Sequence, residues 1–111
     1  MSRDEYLIEI EKILSEENFV KNNNEYVRTD SFQQPGQIMI VNGQSFQQPG
    51  ALIKVEFIIK DLGETWIEDY NGKVYVEQFK FMIKQDDEIS FELDELMYFE
   101  KPELILQYFK K

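Results

Sequence analysis

Histidine and cysteine are both absent from this 111-residue chain. Without them, a Ser-His or Cys-His nucleophile system cannot be assembled within the chain. A zinc site with the usual ligands is excluded as well, and so is a disulfide framework, which fits a reducing, cytoplasmic setting. Basic residues are scarce: 12 Lys and Arg stand against 22 Asp and Glu, for a net charge of −10. They are scattered, with Lys110-Lys111 the only adjacent pair. A phosphate backbone needs clustered cations, so direct nucleic-acid binding is not expected, and an anionic membrane surface is disfavoured for the same reason. No apolar run approaches the ~20 residues of a spanning helix. Met1–Glu5 lacks a charged-then-apolar leader pattern. The five glycines all sit in turn contexts, not in a phosphate-binding loop.

What is present is enough to fold. Hydrophobic residues make up 42% of the chain, with nine Phe and six Tyr, so the acidity does not signal disorder. The length suits one domain, 1–111.

Ser2-Arg3-Asp4-Glu5 reads as a capping box, with Asp4 and Glu5 complementing the helix dipole. Tyr6, Leu7, Ile10, Ile13 and Leu14 recur at helical spacing, which predicts a helix over Arg3–Glu17. Asn22-Asn23-Asn24 breaks the pattern and begins a connection. A loop and hairpin region, 22–50, then holds a near-perfect internal repeat. SFQQPG occurs at Ser31–Gly36 and again at Ser45–Gly50. Each copy precedes an apolar stretch, Gln37–Val41 and then Ala51–Val55. Pro-Gly suits the centre of a type II turn, and Asn42-Gly43 between the copies is a two-residue hairpin signal. Two short copies are too few for a solenoid. They read either as a duplication that lengthened a hairpin or loop, or as a protruding Gln/Phe-rich element that contacts a partner.

Strands dominate the remainder. Leu52–Lys60 is β-branched and aromatic, Leu62-Gly63 reads as a turn, and Thr65–Tyr70 and Lys73–Lys84 flank a hairpin signal at Asn71-Gly72. Val74 and Val76 share one parity, and Phe79, Phe81 and Ile83 the other. That switch implies a bulge or a strand buried on both faces. After the polar turn Gln85–Glu88, Ile89, Phe91 and Leu93 alternate with polar residues. Pro102 opens a last short helix with Leu104, Ile105, Tyr108 and Phe109 as its buried stripe and Lys110-Lys111 at its end. The expected fold is α+β: an N-terminal helix, an antiparallel sheet of about five or six strands, and a short C-terminal helix, with the helices covering one sheet face.

Catalytic arrangements are thin, and no metal, cofactor or enzymatic activity is expected. Asp69 followed by Gln78-Phe79-Lys80 has the residue types of a metal-dependent nuclease hairpin, but one carboxylate is a poor Mg²⁺ site. Asp69–Gly72 lacks the remaining ligands of a calcium loop. Glu64, Glu68 and Asp69 can be imagined as a hydrolytic carboxylate pair, as any dense set of acids can. The strongest charge feature is the run from Gln85 to Glu100, which holds seven carboxylates and no cation. Asp86, Asp87, Glu88, Glu92, Asp94 and Glu95 form one candidate docking group for a basic protein. Glu64, Glu68 and Asp69 form a second, with Trp66, the single tryptophan, as its anchor. The leading expectation is a small acidic binding or inhibitor protein, either immunity-type or a mimic of nucleic-acid charge. The alternatives are an assembly subunit that self-associates through strand edges near the repeat, or the weak nuclease hairpin. Oligomeric state is left open by the sequence.

Overall fold

The computed structural model describes residues 1–33, 36–48, 50 and 52–107. Arg3–Glu16 form α1. The Ser2 hydroxyl accepts the Glu5 amide at 3.2 Å, as the capping box requires. Tyr6, Ile10 and Leu14, four apart on one stripe, are buried. The helix ends one residue before the expected Glu17 because Asn18 turns left-handed, at φ 68°. The amides of Asn18 and Phe19 then bond back to the carbonyls of Ser15 and Leu14, a Schellman closure with Asn in the place usually taken by Gly.

The strands among the described residues are β1 (Val20–Asn22), β2 (Glu25–Gln33), β3 (Gln37–Val41), β4 (Gln44–Gln48), β5 (Leu52–Asp69), β6 (Gly72–Gln85) and β7 (Glu88–Tyr98). Five form one antiparallel sheet in the order β1-β2-β5-β6-β7, and β3-β4 form a separate two-stranded ladder. A short 3-10 turn, Pro102–Leu106, closes the described chain. The α+β class, the N-terminal helix and the antiparallel sheet are as the sequence predicts.

Three local expectations need correction. Asn22–Asn24 is not a loose connection: Asn22 pairs with Glu25, and Asn23, at φ 57°, makes a tight turn with Asn24. Leu62-Gly63 is not a turn but a bulge within the 18-residue β5, between the pairs Asp61–Phe79 and Gly63–Gln78. The hairpin at Asn71-Gly72 is displaced by one residue. Asp69 pairs with Gly72, so Tyr70 and Asn71 are the turn and Gly72, at φ 99°, begins β6. The short C-terminal helix is present as a 3-10 turn; it buries Pro102, Ile105 and Leu106, while Leu104 stays partly exposed. Tyr108, Phe109, Lys110 and Lys111 of the expected stripe lie outside the described residues, as do Pro35 and Pro49 of the expected Pro-Gly turns.

Directly opposed residues share a face. The row Tyr26–Ile59–Phe81 and, one position along, Phe79 pack under Tyr6, Ile10 and Leu14 of α1, with Phe99, Ile105 and Leu106 completing the core. On the same parity of β6 as Phe79 and Phe81 stands Glu77, which is fully buried. Its neighbour Val76 is buried on the other parity. The parity switch therefore marks a stretch of β6 buried on both faces, and the bulge lies across from it on β5.

The two ladders made by β2, β3, β4 and β5 share one register. Glu25 faces Lys60 and Gln33 faces Leu52; Gln37 faces Gln48 and Val41 faces Gln44. The paired residue numbers add to the same total throughout, so both ladders belong to one long hairpin closed at Asn42-Gly43. Asn42 (φ 53°) and Gly43 (φ 80°) supply the two positive φ angles of a type I′ turn. The β5–β6 ladder stops at the pair Val55–Gln85 and β1 reaches only to Val27. Beyond those points the hairpin projects from the sheet as a two-stranded arm, and the molecule measures 74 × 25 × 23 Å.

Candidate functional site

Residues 31–53 contain no Asp, Glu, Lys or Arg, although 31% of the chain is charged. This uncharged stretch forms most of the arm. In β3 the run Ile38-Met39-Ile40-Val41 is continuously apolar, the pattern of a strand covered on both faces. Yet Ile38 is 72% exposed, Ile40 74% and Val41 48%, and across the ribbon Phe46 is 51% exposed. Nearer the root, Phe32 and Leu52 are exposed too. Strand edges are commonly blunted with charges; none is present between Ser31 and Ile53. The repeat explains the ladder's internal match. Ser31, Phe32 and Gln33 face Lys54, Ile53 and Leu52, while Ser45, Phe46 and Gln47 face Ile40, Met39 and Ile38. Each SFQ copy thus pairs with the apolar stretch that follows the other copy, at equivalent positions. The arm is two copies of one unit arranged about a local two-fold. Sequence reading caught the repeat and the turn but missed the uncharged length, which the composition of 31–53 displays directly.

The arm is anchored at its root. Gln33 Nε2 donates to the Gly50 carbonyl at 2.6 Å. The Asp86 amide donates to the Lys54 carbonyl at 2.9 Å, and the Lys54 amide donates to Asp86 Oδ1 at 3.1 Å. Arg28 lies over the rings of Phe57 and Phe19, at 4.8 and 5.1 Å, where the arm meets the core.

The acidic residues singled out in the sequence are divided by the sheet. Asp86 and Asp87, both left-handed, form the β6–β7 turn against Lys54, whose Nζ lies 3.5 Å from Asp87 Oδ1 and 3.4 Å from Glu56. These contacts raise the lysine's pKa, through Asp87 first and Glu56 second. Glu92 and Asp94 face Met82 and Lys80 on the sheet side away from α1. Lys80 Nζ sits 2.9 Å from Glu92 and 3.9 Å from Asp94. Glu95 faces Phe79 on the other side, and Glu88 faces Gln85 near the turn. Lysines from neighbouring strands therefore meet part of the acidic run, and its carboxylates do not share a single face.

The second group does gather. Glu64, Trp66 and Glu68 have one parity on β5 and face Glu77, Tyr75 and Lys73. Lys73 Nζ lies 4.5 Å from the Trp66 ring centre and 5.3 Å from that of Tyr75. Both aromatic rings are half exposed. Asp69 has the opposite parity and accepts the Asn71 amide at 2.7 Å. It pairs across from Gly72, ~26 Å of strand from Lys80 at the usual rise per residue, so the nuclease-type residues are not brought together. Among the described residues no group of three or more Asp and Glu is placed to hold a metal ion, and no helix is long and apolar enough to cross a membrane.

One constellation escaped the sequence reading. Arg3, at the start of α1, grips Glu77 with two bonds: Nε to Oε1 at 2.8 Å and Nη2 to Oε2 at 2.9 Å. Asp61, from the bulge, accepts the Gly63 amide at 2.8 Å. Burial and a carboxyl–carboxyl hydrogen bond to Glu77 push the Asp61 pKa up to about 7. Burial opposes the charge on Glu77, but the bonds from Arg3 and Asp61 outweigh it and hold that carboxyl below its usual range. The two shifts run in opposite directions, favouring a proton on Asp61 and a charge on Glu77. Tyr6 brings a buried hydroxyl with no hydrogen-bond partner among the described residues, and burial together with the two carboxyls raises its pKa. Beside Arg3 an open groove of about 470 Å³ is lined by Ser2, Glu64, Lys73, Tyr75 and Phe99 among others. The available signal was Glu77 itself, a carboxylate on the apolar parity of β6. The chemistry is that of a structural clamp: the Arg3–Glu77 ion pair ties the helix N-terminus to the sheet, and the Asp61–Glu77 carboxyl pair links β5 to β6 beneath it. No family model, curated protein or solved structure matches the chain.

Proposed function

We propose that this protein is a non-enzymatic interaction protein, an assembly subunit that docks through its hairpin arm. The observation that carries this reading is the two-stranded ribbon of β3 and β4 within the uncharged stretch 31–53, with Ile38, Ile40, Val41 and Phe46 exposed. An isolated two-stranded ribbon is marginal in water, and a third strand or a covering layer is what ordinarily stabilises it. Apolar side chains on both faces of such a ribbon gain free energy only when a partner covers them. Addition of an extended segment to an open strand edge is a known mode of recognition. A photo-crosslinking amino acid at position 46 tests this in the cell. It should capture a protein adduct that the same probe at Tyr70, exposed on the turn between β5 and β6, does not give. The absence of any adduct at position 46 refutes the reading.

A second reading is supported by Trp66 with Glu64 and Glu68 on one face, where an aromatic anchor flanked by acids suits a basic protein. Under it, binding weakens as salt rises and is lost in Trp66→Ala. A complex that ignores both changes does not use this face.

A further inference from the structure

We infer that the arm's partner is a second copy of this chain, and that two copies join through the outer edge of β3. This rests on the arm being the docking element, as proposed above. Three observations lead to it.

First, the arm already shows how the unit pairs with itself. The SFQ segment of one copy lies against the apolar stretch of the other at equivalent positions on both sides of a local two-fold. A second chain brings the same unit, and a further two-fold that sets its β3 beside this β3 extends the symmetric pairing the arm already has. Closed homo-oligomers are most often built on a two-fold that uses the same patch of each copy.

Second, charge selects where two copies can meet. Each copy carries −10, and the bodies repel one another. Residues 31–53 carry no charge, and β3 and β4 form a ladder separate from the sheet of the acidic body. A basic partner would be drawn to the carboxylates of the body; an uncharged apolar ribbon complements another of its kind.

Third, the two strands of the arm differ in composition as inner and outer strands do. Gln37-Ile38-Met39-Ile40-Val41 reads as an inner strand, whereas Gln44-Ser45-Phe46-Gln47-Gln48 reads as an outer one. Joining β3 to β3 of the second copy gives the order β4-β3-β3-β4. The apolar strands are then central and the polar strands are the edges. The β5 edge at the root is closed to a newcomer by the Asp86 and Asp87 turn bound to Lys54. On the β2 side, β1 covers only residues up to Val27. The Asn42-Gly43 turn fits its type I′ geometry, which favours edge addition over exchange of opened arms.

The test uses the full chain and needs no partner. Sedimentation velocity across a hundredfold concentration range should show a reversible monomer–dimer equilibrium. Ile40→Lys sets two like charges across the joint, and should raise the dissociation constant at least tenfold while leaving the unfolding midpoint of the monomer unchanged. Because the chain has no cysteine, Ile40→Cys is a clean reporter: a short bis-maleimide should link it into dimers, and should not link Gln44→Cys. A chain that stays monomeric at every concentration overturns the second-copy inference. The docking role of the arm then still stands if the position-46 probe captures a different protein, and falls with it if nothing is captured. A dimer indifferent to Ile40→Lys, or one linked through position 44 and not 40, overturns the β3 edge as the joint.

Discussion

The body of the sheet and the arm are antiparallel ladders that share one register, yet they differ in what lies above the strands. In the body, Ile59, Phe79 and Phe81 are sealed beneath Tyr6, Ile10 and Leu14. In the arm, Ile38 and Ile40 keep about three quarters of their surface in water. Backbone pairing is regular in both ladders among the described residues. The contrast separates two contributions that most sheets deliver together: hydrogen bonds hold the ribbon's shape, and a second layer provides the apolar burial that stabilises it. The body supplies its own layer through α1 and the Pro102–Leu106 turn. The arm has none among the described residues, and it also lacks the charges that keep an unpaired ribbon apart from others.

The largest expected effect compares one phenylalanine from each region. Phe81→Ala removes a fully buried ring from the centre of the core and should cost about 4 kcal/mol. Phe46→Ala, half exposed on β4, should cost under about 0.5 kcal/mol in the monomer. Urea unfolding at low protein concentration, followed through Trp66 fluorescence, measures both. Equal losses would mean that the arm has a packed layer of its own, and the contrast between regions would be gone.

How much of this was legible in sequence follows the range of the forces involved. The capping box at Ser2, the helical stripe of Tyr6, Ile10 and Leu14, and the turns at Asn42-Gly43 and Asp86-Asp87 are set by neighbouring residues, and they appear as the pattern predicts. Leu62-Gly63 carries the same local signal as a turn, but the pairing of β5 with β6 on both sides absorbs it as a bulge. Asn22–Asn24 reads as a break because Val20-Lys21-Asn22, with a single apolar residue, carries no strand pattern. For Glu77 the parity of β6 places a carboxylate in the core, but Arg3 is distant in sequence and nothing local names it as the partner. The acidic run was read as one surface because strand registers, and hence Lys80 beside Glu92 and Lys54 beside Asp87, are long-range facts.

The Asp61–Glu77 clamp gives the body a pH response that the arm cannot share, since residues 31–53 carry no titratable carboxylate. The folded-state pKa of Asp61, about 7, lies above the unfolded value near 3.9. Its contribution to stability is therefore complete below about pH 4 and is lost as pH rises through about 7. Glu77 shifts the other way and contributes above the normal carboxylate range, so it leaves the interval from pH 5 to 8 to Asp61. Urea midpoints should fall across that interval in the wild type and flatten in Asp61→Asn, whose amide stays neutral and still donates to Glu77. An unchanged slope in Asp61→Asn would place the shared proton elsewhere. Glu77→Gln strips Arg3 of its ionised partner and should destabilise the body by about 3 kcal/mol at neutral pH. A loss well below that would mean Arg3 is satisfied by water.

The smallest expected effect makes the sharpest comparison, because it applies the same backbone strain to both regions. Gly63 in the body bulge and Gly43 at the arm's tip hold φ of 103° and 80°, and a Cβ on either would meet no atom within 4 Å. Alanine at each position therefore pays only for the left-handed backbone, about 1 kcal/mol. In Gly63→Ala that penalty falls on a strand every body contact depends on, and should appear in full in the global unfolding free energy. In Gly43→Ala it falls on a ladder that opens without disturbing the core, because β1 reaches only to Val27 and the β5–β6 ladder stops at the pair Val55–Gln85. Global stability should then hardly change, while amide exchange in β3 and β4 quickens by about fivefold, the equivalent of the same strain. Equal global losses from the two substitutions would show that arm and body unfold as one cooperative unit. Strain confined to the arm would show that a ladder in perfect register with a stable sheet still opens independently when nothing covers its faces.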